Sequence, residues 1–215
     1  MKVLMLNGSF NPDGSTSAGL EIMAKTFAEE GVETEIVTVG AKPIADCIGC
    51  GKCAELKRCV FANDAVNDFR GKAKTSDGFV FGTPVYYAHP SGRVISFLDR
   101  VFFASLMGDG YAPFRHKPAA SIVVARRAGT SAGFDVMNKY LGTSQMITVG
   151  STYWNEFHAL TKEDVPEDPE GLQTLQNLAR NMVYVMKCLK AGRDAGIMPP
   201  ATKEEVFTNF VRRCE

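Results

Sequence analysis

Short apolar runs alternate with amphipathic stretches along the whole chain of 215 residues. The apolar runs are nearly continuous, which is typical of strands that are covered on both faces of a sheet. Between them, apolar residues recur at the i, i+3, i+4 and i+7 spacing of a helix that buries one face. Strands are predicted at residues 2–7, 34–39, 77–82, 120–125 and 146–149. Helices are predicted after the first strand and at residues 65–73, 92–104, 131–141 and 170–191.

This alternation of strands and helices indicates the fold class. Five strands alternating with helices predict an α/β fold, built on a doubly wound, five-stranded parallel sheet in three α/β/α layers with right-handed crossovers. The length fits a single domain over residues 1–215 with one large core. The helix predicted at residues 170–191 carries an apolar stripe that we expect to face a partner surface. Its members are Leu172, Leu175, Leu178, Met182, Val185, Met186 and Leu189.

Three segments go beyond this minimal pattern. Residues 40–63 form an insertion with four of the six cysteines, and residues 151–168 form a long loop after the last strand. Long loops at the carboxyl ends of strands are where doubly wound folds bind ligands. Residues from about 170 to 215 form a C-terminal helical extension that ends in a short amphipathic helix at 204–213. We expect this last helix to dock on its own domain or on a sister subunit.

Charge and hydropathy exclude several classes of partner. The chain has 24 basic and 24 acidic residues, so we expect it to bind neither nucleic acid nor an anionic membrane. No apolar run approaches the roughly 18 residues of a membrane span. The first residues already form a core strand, so we expect no signal peptide. Without a predicted signal peptide or membrane span, the sequence predicts a cytoplasmic protein. In such a protein, clustered cysteines indicate metal or redox chemistry before structural disulfides.

The loop between the first strand and the first helix, residues 8–17, is rich in hydroxyls and glycines. At a helix N-terminus, unpaired backbone N–H groups and the positive end of the helix dipole favour a phosphate. A Walker loop is excluded because Ser15 stands where its lysine should be, and Phe10 breaks the dinucleotide fingerprint at its second glycine. The loop therefore predicts a site for one terminal phosphate monoester. The alternative is an ordinary helix cap by Ser15 or Thr16.

A second loop follows the third strand, at residues 82–92. Its rigid Pro84 turn presents backbone amides and two tyrosines, Tyr86 and Tyr87. These groups suit a planar aromatic ligand that stacks on a ring and needs N–H donors at its edge. The alternative is an aromatic turn that packs on its neighbours.

In this order, the two loops resemble those of the NADPH-dependent FMN reductase group of flavodoxin-like proteins. That group holds the FMN phosphate with a Gly-Ser-Pro-Arg-x-x-Gly-Asn-Thr loop and flanks the flavin ring with a Gly-Thr/Ser-Pro-x-Tyr turn. This chain has Phe10 for the proline, Asn11 for the arginine and Ser15 for the asparagine, and the missing arginine should weaken phosphate affinity. The resemblance covers roughly the first 150 residues and implies a flavodoxin-like fold. It implies that FMN is bound by Ser9, Asn11, Ser15, Thr16 and Ser17 at its phosphate and by Pro84, Val85, Tyr86 and Tyr87 along its ribityl chain and ring.

The resemblance also puts the loop after the fourth strand beside the pyrimidine edge of the flavin. A cation there, such as Arg126, would stabilise the reduced anionic flavin and raise its reduction potential. Arg126 and Arg127 could instead bind the phosphate of NADPH or face water. Arg126 and the neighbouring Gly129 complete the predicted cofactor site.

Four cysteines in the insertion form the second strong signal. They are Cys47, Cys50, Cys53 and Cys59, with the spacing C-x2-C-x2-C-x5-C. Two-residue gaps let thiolates converge on one centre, and ferredoxin clusters space their first three cysteines in the same way. The pattern resembles the compact motif of iron–sulfur flavoproteins, a branch of the same reductase group in which a [4Fe–4S] cluster passes electrons to FMN. The alternatives are a zinc site and metal-free thiols that pack the loop or form a reversible disulfide.

The resemblance implies an FMN-dependent oxidoreductase that passes electrons from NAD(P)H through FMN to a quinone, a flavin or another small-molecule or redox-protein acceptor. The chemistry takes place at N5 of FMN, so no side chain need act as a catalytic acid or base. Reductases of this kind are typically homodimers or homotetramers, and we expect one of these states here. Two other functions stay open. One is a flavodoxin-type electron carrier without its own substrate. The balanced charge argues against it, because such carriers usually meet their partners through a strongly acidic face. The other is a thiol redox sensor.

Overall fold

The computed structural model describes residues 1–201. Its strands are β1 (Lys2–Asn7), β2 (Glu33–Thr38), β3 (Gly78–Tyr86), β4 (His89–Pro90), β5 (Pro118–Ala125), β6 (Ile147–Thr148) and β7 (Glu156–His158). Its α-helices are α1 (Ser15–Glu29), α2 (Cys53–Leu56), α3 (Val66–Ala73), α4 (Gly92–Asp109), α5 (Thr130–Thr143) and α6 (Pro169–Asp194), and a 3₁₀ helix spans Lys162–Glu167. The predicted helix at 204–213 lies outside the described residues.

The main sheet has the strand order β2-β1-β3-β5-β6, and all of these neighbours are parallel. β2 lies on one side of β1, and the strands that follow it, β3, β5 and β6, lie on the other side. The order therefore reverses between β1 and β3, which makes this the topological switch point of the sheet. Helices cover both faces, since α1 and α6 pack on one face and α3, α4 and α5 on the other. The predicted doubly wound, flavodoxin-like fold is therefore confirmed.

Alternate residues of the central strands belong to these two cores. In β1, Leu4 and Leu6 join the core under α3, α4 and α5, whereas Val3 and Met5 join the core under α1 and α6. All four side chains are fully buried. This explains why the sequence shows a continuous apolar run in place of an alternating pattern.

The end of the sheet differs from the prediction. β6 is only two residues long, and the carboxyl half of β5 pairs instead with β7, which lies in the segment predicted as a loop. A strand of three residues is too short to display the period of two that marks a strand. The sheet therefore continues into the segment that follows β6, and this brings the residues after β7 close to the loops at the carboxyl edge.

The buried residues of the α6 stripe face the domain's own core, which corrects the expectation that they face a partner surface. Leu175, Leu178 and Met182 are fully buried in the domain's own core, where α6 packs against α1. An apolar stripe indicates that one face of a helix is buried, and here that face is buried against the core of the same chain. Among residues 1–201, no helix is both long enough and apolar enough to cross a membrane.

Candidate functional site

A groove of about 290 Å³ opens at the carboxyl edge of the sheet, where the loops after β1, β3 and β5 meet. This is the switch point at which open α/β sheets bind ligands. Most of the residues predicted to bind FMN line the groove together: Ser9, Asn11, Ser15, Thr16, Pro84, Val85, Tyr86 and Arg126. The sequence analysis missed the other lining residues, which are Phe10, Gly14, Val124, Ala125, Ala159 and Leu160.

The first loop is shaped by side chains that bond to the backbone two residues farther on. The Oδ1 of Asn7 accepts from the N–H of Ser9 (3.0 Å), and the Oγ of Ser9 accepts from the N–H of Asn11 (3.1 Å). The Oδ1 of Asn11 accepts in turn from the N–H of Asp13 (3.0 Å). Such bonds hold a loop in one conformation without strand or helix partners. The sequence analysis missed Asn7, which is buried and ends a strand.

This loop brings the N-terminus of α1 to the groove without a side-chain cap. The N-cap residue is Gly14, in an extended conformation, and no side chain caps the helix. The alternative that Ser15 or Thr16 acts as an ordinary cap is therefore wrong. The first turn also has no acidic residue, which leaves its N–H groups and the positive end of the helix dipole for a ligand. With the hydroxyls of Ser9, Ser15 and Thr16 beside them, these groups fit a phosphate.

Three residues predicted to bind flavin do not line the groove. Ser17 is buried farther along α1, and its hydroxyl donates to the Oε1 of Glu21 (3.1 Å). Tyr87 lies at the tip of the β3–β4 turn with its side chain completely exposed. Gly129 lies behind that turn, at the N-cap of α5. Tyr86, half-exposed at the rim, is the tyrosine that contributes to the groove wall.

The β3–β4 turn has an unusual backbone. Tyr87 (φ 50°) and Ala88 (φ 59°) both adopt the left-handed conformation, which lets two residues close a tight hairpin. For residues other than glycine, each such conformation costs about 1–3 kcal/mol and persists only where the surroundings enforce it. Gly129 belongs to these surroundings, because it also has a positive φ (96°) and a Cβ on it would lie 2.6 Å from the Cα of Ala88. Position 129 therefore requires glycine, because the start of α5 and the β3–β4 turn approach too closely there for a side chain.

A single serine connects the two loops of the groove. The Oγ of Ser91, the N-cap of α4, accepts from the N–H of Val94 (3.2 Å) and donates to the carbonyl of Gly8 (2.9 Å). The N–H of Gly8 donates to the carbonyl of Gly82 (2.8 Å). Gly8 has no room for a side chain, since a Cβ there would lie 2.7 Å from that carbonyl oxygen. The two loops are therefore held at a fixed separation, through a serine that the sequence analysis missed.

The cysteines of the insertion converge on one small cavity beside α4. Two come from the segment before α2, one is the first residue of α2 and one follows it; in order they are Cys47, Cys50, Cys53 and Cys59. Gly49 and Gly51 have positive φ values (62° and 67°), which let the backbone wrap around the thiols. All four thiols are free of disulfides. Within residues 1–201, no three or more His, Cys, Asp or Glu side chains are arranged to hold a single metal ion.

Burial distinguishes the four thiols from one another. Cys53 and Cys59 are buried, whereas Cys47 and Cys50 are exposed at the rim. Burial raises the pKa of the Cys53 thiol, and electrostatic repulsion from the neighbouring cysteine sulfurs raises it further. Cys53 is therefore a neutral thiol at pH 7, and a metal bound here would displace its proton. The space among the thiols is about 20 Å³, roughly one water molecule, so a larger group requires movement of the exposed rim.

A family model described as NADPH-dependent FMN reductase matches residues 1–159, about three quarters of the chain. The chain belongs to this family. The matched region contains the hydroxyl-rich loop at residues 8–17, the β3–β4 turn and all four clustered cysteines. Membership identifies the protein as a flavin-dependent oxidoreductase, as the resemblance of its two loops predicts.

Curated relatives extend this likeness over nearly the whole reductase-family chain. An iron–sulfur flavoprotein from Methanocaldococcus jannaschii is 29% identical over 197 residues, which make up 88% of this chain and 100% of the relative. An iron–sulfur flavoprotein from Methanosarcina thermophila is 24% identical over 196 residues, 90% of this chain and 100% of the relative. These relatives belong to the branch that the cysteine spacing resembles.

Solved structures share the fold at low sequence identity. RosB, with bound 8-demethyl-8-formylriboflavin-5'-phosphate, has a TM-score of 0.67 at 17% identity, over 99% of this chain and 94% of RosB. FerB, a flavoenzyme NAD(P)H:(acceptor) oxidoreductase from Paracoccus denitrificans, has a TM-score of 0.63 at 17% identity, over 87% and 97% of the two chains. A flavodoxin from the Archaea has a TM-score of 0.57 at 11% identity, over 87% and 99%. At these identities the likeness establishes the fold alone.

Replacing Gly129 by alanine should disrupt the β3–β4 turn of this member of the FMN reductase family. The new Cβ would collide with the backbone of Ala88, so we expect the free energy of unfolding to fall by about 2–4 kcal/mol and FMN affinity to fall more than about tenfold. Urea denaturation and flavin fluorescence titration measure the two effects. Gly110→Ala is the control, because Gly110 also has a positive φ (57°) but its Cβ would meet open space. Equal effects of both substitutions on FMN affinity would contradict the prediction.

Replacing Ser91 by alanine should loosen the two loops of the groove. The change removes the cap of α4 and the bond to the carbonyl of Gly8, so we expect a loss of about 1–2 kcal/mol in the free energy of unfolding. FMN affinity should fall severalfold, since the loops would no longer be held at one separation. Ser105→Ala is the control: Ser105 is also buried on α4, and it accepts from the Nε of Arg70 (3.0 Å). That variant should lose stability while its FMN affinity stays unchanged.

Proposed function

We propose that this protein binds FMN in the groove, oxidises NAD(P)H with it, and passes the electrons to an acceptor through a [4Fe–4S] cluster on its four clustered cysteines. The uncapped N-terminus of α1 is the observation that carries the FMN part. This helix end opens on the groove, between the hydroxyl-rich loop at residues 8–17 and the end of β3 at Pro84–Tyr86. A terminal phosphate fits the helix end, and a planar ring fits the wall formed by the end of β3. Family membership supports the same cofactor.

The residues of the groove would hold FMN at two ends. The N–H groups in the first turn of α1 and the hydroxyls of Ser9, Ser15 and Thr16 would bind the phosphate. The end of β3 at Pro84–Tyr86, which is strand where the sequence predicted a turn, would support the ribityl chain and the ring. Arg126 brings a positive charge to the groove, which would stabilise a reduced, anionic flavin. Bound FMN supplies hydride acceptance at its N5, so the chain has to bind, orient and tune the cofactor and need not supply an acid or a base.

The cysteine cavity supports a cluster through its set of donors. Each thiolate of a [4Fe–4S] cluster binds a different iron, so its ligands surround a volume and need not meet at one point. Here one short segment of chain supplies four thiols around one cavity, two of them buried and two at the rim. The likeness to iron–sulfur flavoproteins supports the same assignment. A bound cluster would supply one-electron steps.

The exposed rim of the groove is the expected meeting place for the electron donor. Phe10 and Leu160 line the groove and are exposed, which offers apolar surface to a nicotinamide ring. We propose NAD(P)H as the donor and a quinone, a flavin or a redox protein as the acceptor. The homodimer or homotetramer and the cytoplasmic location stay predictions from the sequence.

The proposal is tested on protein purified without oxygen and assayed for FMN, iron and acid-labile sulfide per chain. We expect one FMN with about four irons and matching sulfide. FMN without iron would overturn the cluster and leave an FMN reductase, whereas no FMN after reconstitution would overturn the whole proposal. Steady-state oxidation of NAD(P)H in the presence of a quinone then separates an enzyme from an electron carrier, because a carrier turns over only with a reductase partner.

A further inference from the structure

The most deeply buried residue that lines the cysteine cavity is an arginine. Arg100 lies on α4 with 1% of its surface exposed, and its Nε donates a hydrogen bond to the Sγ of Cys59 (3.2 Å). Burying a charged side chain is costly unless every donor finds a partner. A cysteine sulfur is a weak acceptor, so a buried guanidinium that donates to one is unusual and suggests a role beyond packing.

The other donors of this guanidinium are all satisfied by oxygen. Both Nη atoms donate to the carboxylate of Asp64, and they also donate to the carbonyls of Ala45 (3.2 Å) and Phe61 (3.4 Å). The guanidinium carbon lies 5.0 Å from the centre of the Phe61 ring. Because an arginine has five N–H donors, these four contacts and the Cys59 sulfur use all of them. The direction of the Nε–H toward the sulfur is therefore fixed by the rest of the side chain.

The sulfur that accepts this bond is itself held in place. The Oδ1 of Asn67 accepts from the N–H of Cys59 (2.9 Å), and its Nδ2 donates to the carbonyl of Cys59 (3.1 Å). Asn67 also donates to the carbonyl of Phe61 (2.9 Å). The backbone on both sides of this cysteine is thus fixed by α3 while its sulfur is fixed by α4. Cys59 is preorganised before any metal binds.

We propose that Arg100 is a positioning residue of the cysteine site and that it raises the reduction potential of the cluster bound there. The inference rests on the proposed cluster. Hydrogen bonds to the cysteine sulfurs and the net charge nearby set the potential of an iron–sulfur cluster. The reduced cluster carries one more electron than the oxidised one, so an N–H donor at a ligand sulfur stabilises the reduced form more. The carboxylate of Asp64 opposes this effect because it compensates the guanidinium charge.

The test is a redox titration of the holoprotein, followed by EPR of the reduced cluster. Arg100→Lys keeps the charge but has no donor at the Nε position, so we expect the potential to fall. A tenfold change in the reduction equilibrium corresponds to 59 mV for one electron, and we expect a shift of about that size. Asp64→Asn keeps the bond to the sulfur and removes the compensating charge, so the potential should rise by a similar amount.

Arg70→Lys is the matched control. Arg70 is also buried and also anchors the insertion, since it donates to the carbonyl of Lys57 at the end of α2 (3.0 Å), to Ser105 and to Asp109. Its hydrogen bonds go to oxygen and none goes to a cysteine sulfur. A residue of this kind holds the loop in place without tuning a ligand, so we expect no change in potential.

Opposite shifts in Arg100→Lys and Asp64→Asn support the inference. Shifts of one sign in all three variants, or no shift in the first two, would mean that Arg100 only packs the insertion and would overturn it. If Arg100→Lys does not retain the cluster, Asp64→Asn decides: a rise supports the inference, and an unchanged or lower potential overturns it. Iron and sulfide are measured beside each titration. Wild-type protein without a cluster refutes the cluster part of the proposed function together with the inference, whereas a loaded cluster with unmoved potentials refutes the inference alone.

Discussion

Serine in place of Cys53 should leave the protein with FMN bound and almost no iron. Cys53 is buried at the start of α2 and lies with the other three cysteines around one cavity. A serine hydroxyl does not ionise near pH 7 and is a poor substitute for a thiolate ligand, so the proposed cluster would lose one of its four ligands. We expect iron to fall below about a tenth of the roughly four atoms per chain of the wild type. The FMN content should stay near one per chain, because other residues form the groove.

The iron analysis is made on anaerobically purified protein, with Cys188→Ser as the control. Cys188 is an exposed residue of α6, away from the insertion, and its replacement should leave iron and FMN unchanged. Iron retained in the Cys53→Ser protein would contradict the cluster. Loss of FMN together with iron would show that this residue supports the whole domain, so urea denaturation is measured beside the metal content.

Aspartate in place of Ser15 should abolish tight FMN binding without unfolding the protein. Ser15 is the first residue of α1 and lines the groove. A carboxylate in the first turn of a helix interacts favourably with the helix dipole by about 0.3–1 kcal/mol, so the flavin-free protein should melt at an equal or higher temperature. The same carboxylate repels a phosphate bound at that helix end. We expect the Kd for FMN to rise at least about a hundredfold, or about 2.7 kcal/mol.

Two comparisons show whether the effect comes from charge. Ser15→Asn has nearly the shape of the aspartate without its charge, so this variant should keep most of the affinity for FMN. Riboflavin lacks the phosphate and should bind the Ser15→Asp protein as well as it binds the wild type. Fluorescence titration of flavin-free protein measures all three affinities. A matching loss of riboflavin binding would show that the substitution blocks the groove, which contradicts the phosphate site at α1.

Much of the fold could be predicted because its strands are marked by local patterns. The first strand was predicted at residues 2–7, where β1 lies, and the helix predicted at 65–73 is α3 at Val66–Ala73. β7 could not be predicted, because its three residues show no period of their own and pair with Val123, Val124 and Ala125 more than thirty residues earlier in the chain. The stripe on α6 was visible in the sequence, but a stripe does not say which surface covers it.

Much of the candidate site could be predicted for a topological reason. The carboxyl ends of parallel strands lie at one edge of a sheet, so loops rich in glycine and hydroxyls after β1 and β3 have to meet there. The orientation of each side chain could not be predicted in this way. Ser17 bonds to Glu21 and Tyr87 faces solvent, because a helix turns by about 100° per residue and a tight turn directs its tip outward.

The sequence by itself determined the order of strands and loops, the hydroxyl-rich start of α1 and the close spacing of four thiols. These features are local, so the chain carries them whatever surrounds it. Only the tertiary structure joined Ser91 to Gly8, 83 residues apart, and Arg100 to Cys59, 41 residues apart. Such contacts depend on which face of the sheet each helix packs against and on the position of the helix along the strands. Side chains on different elements meet only once the whole core has formed, and no local pattern encodes that meeting.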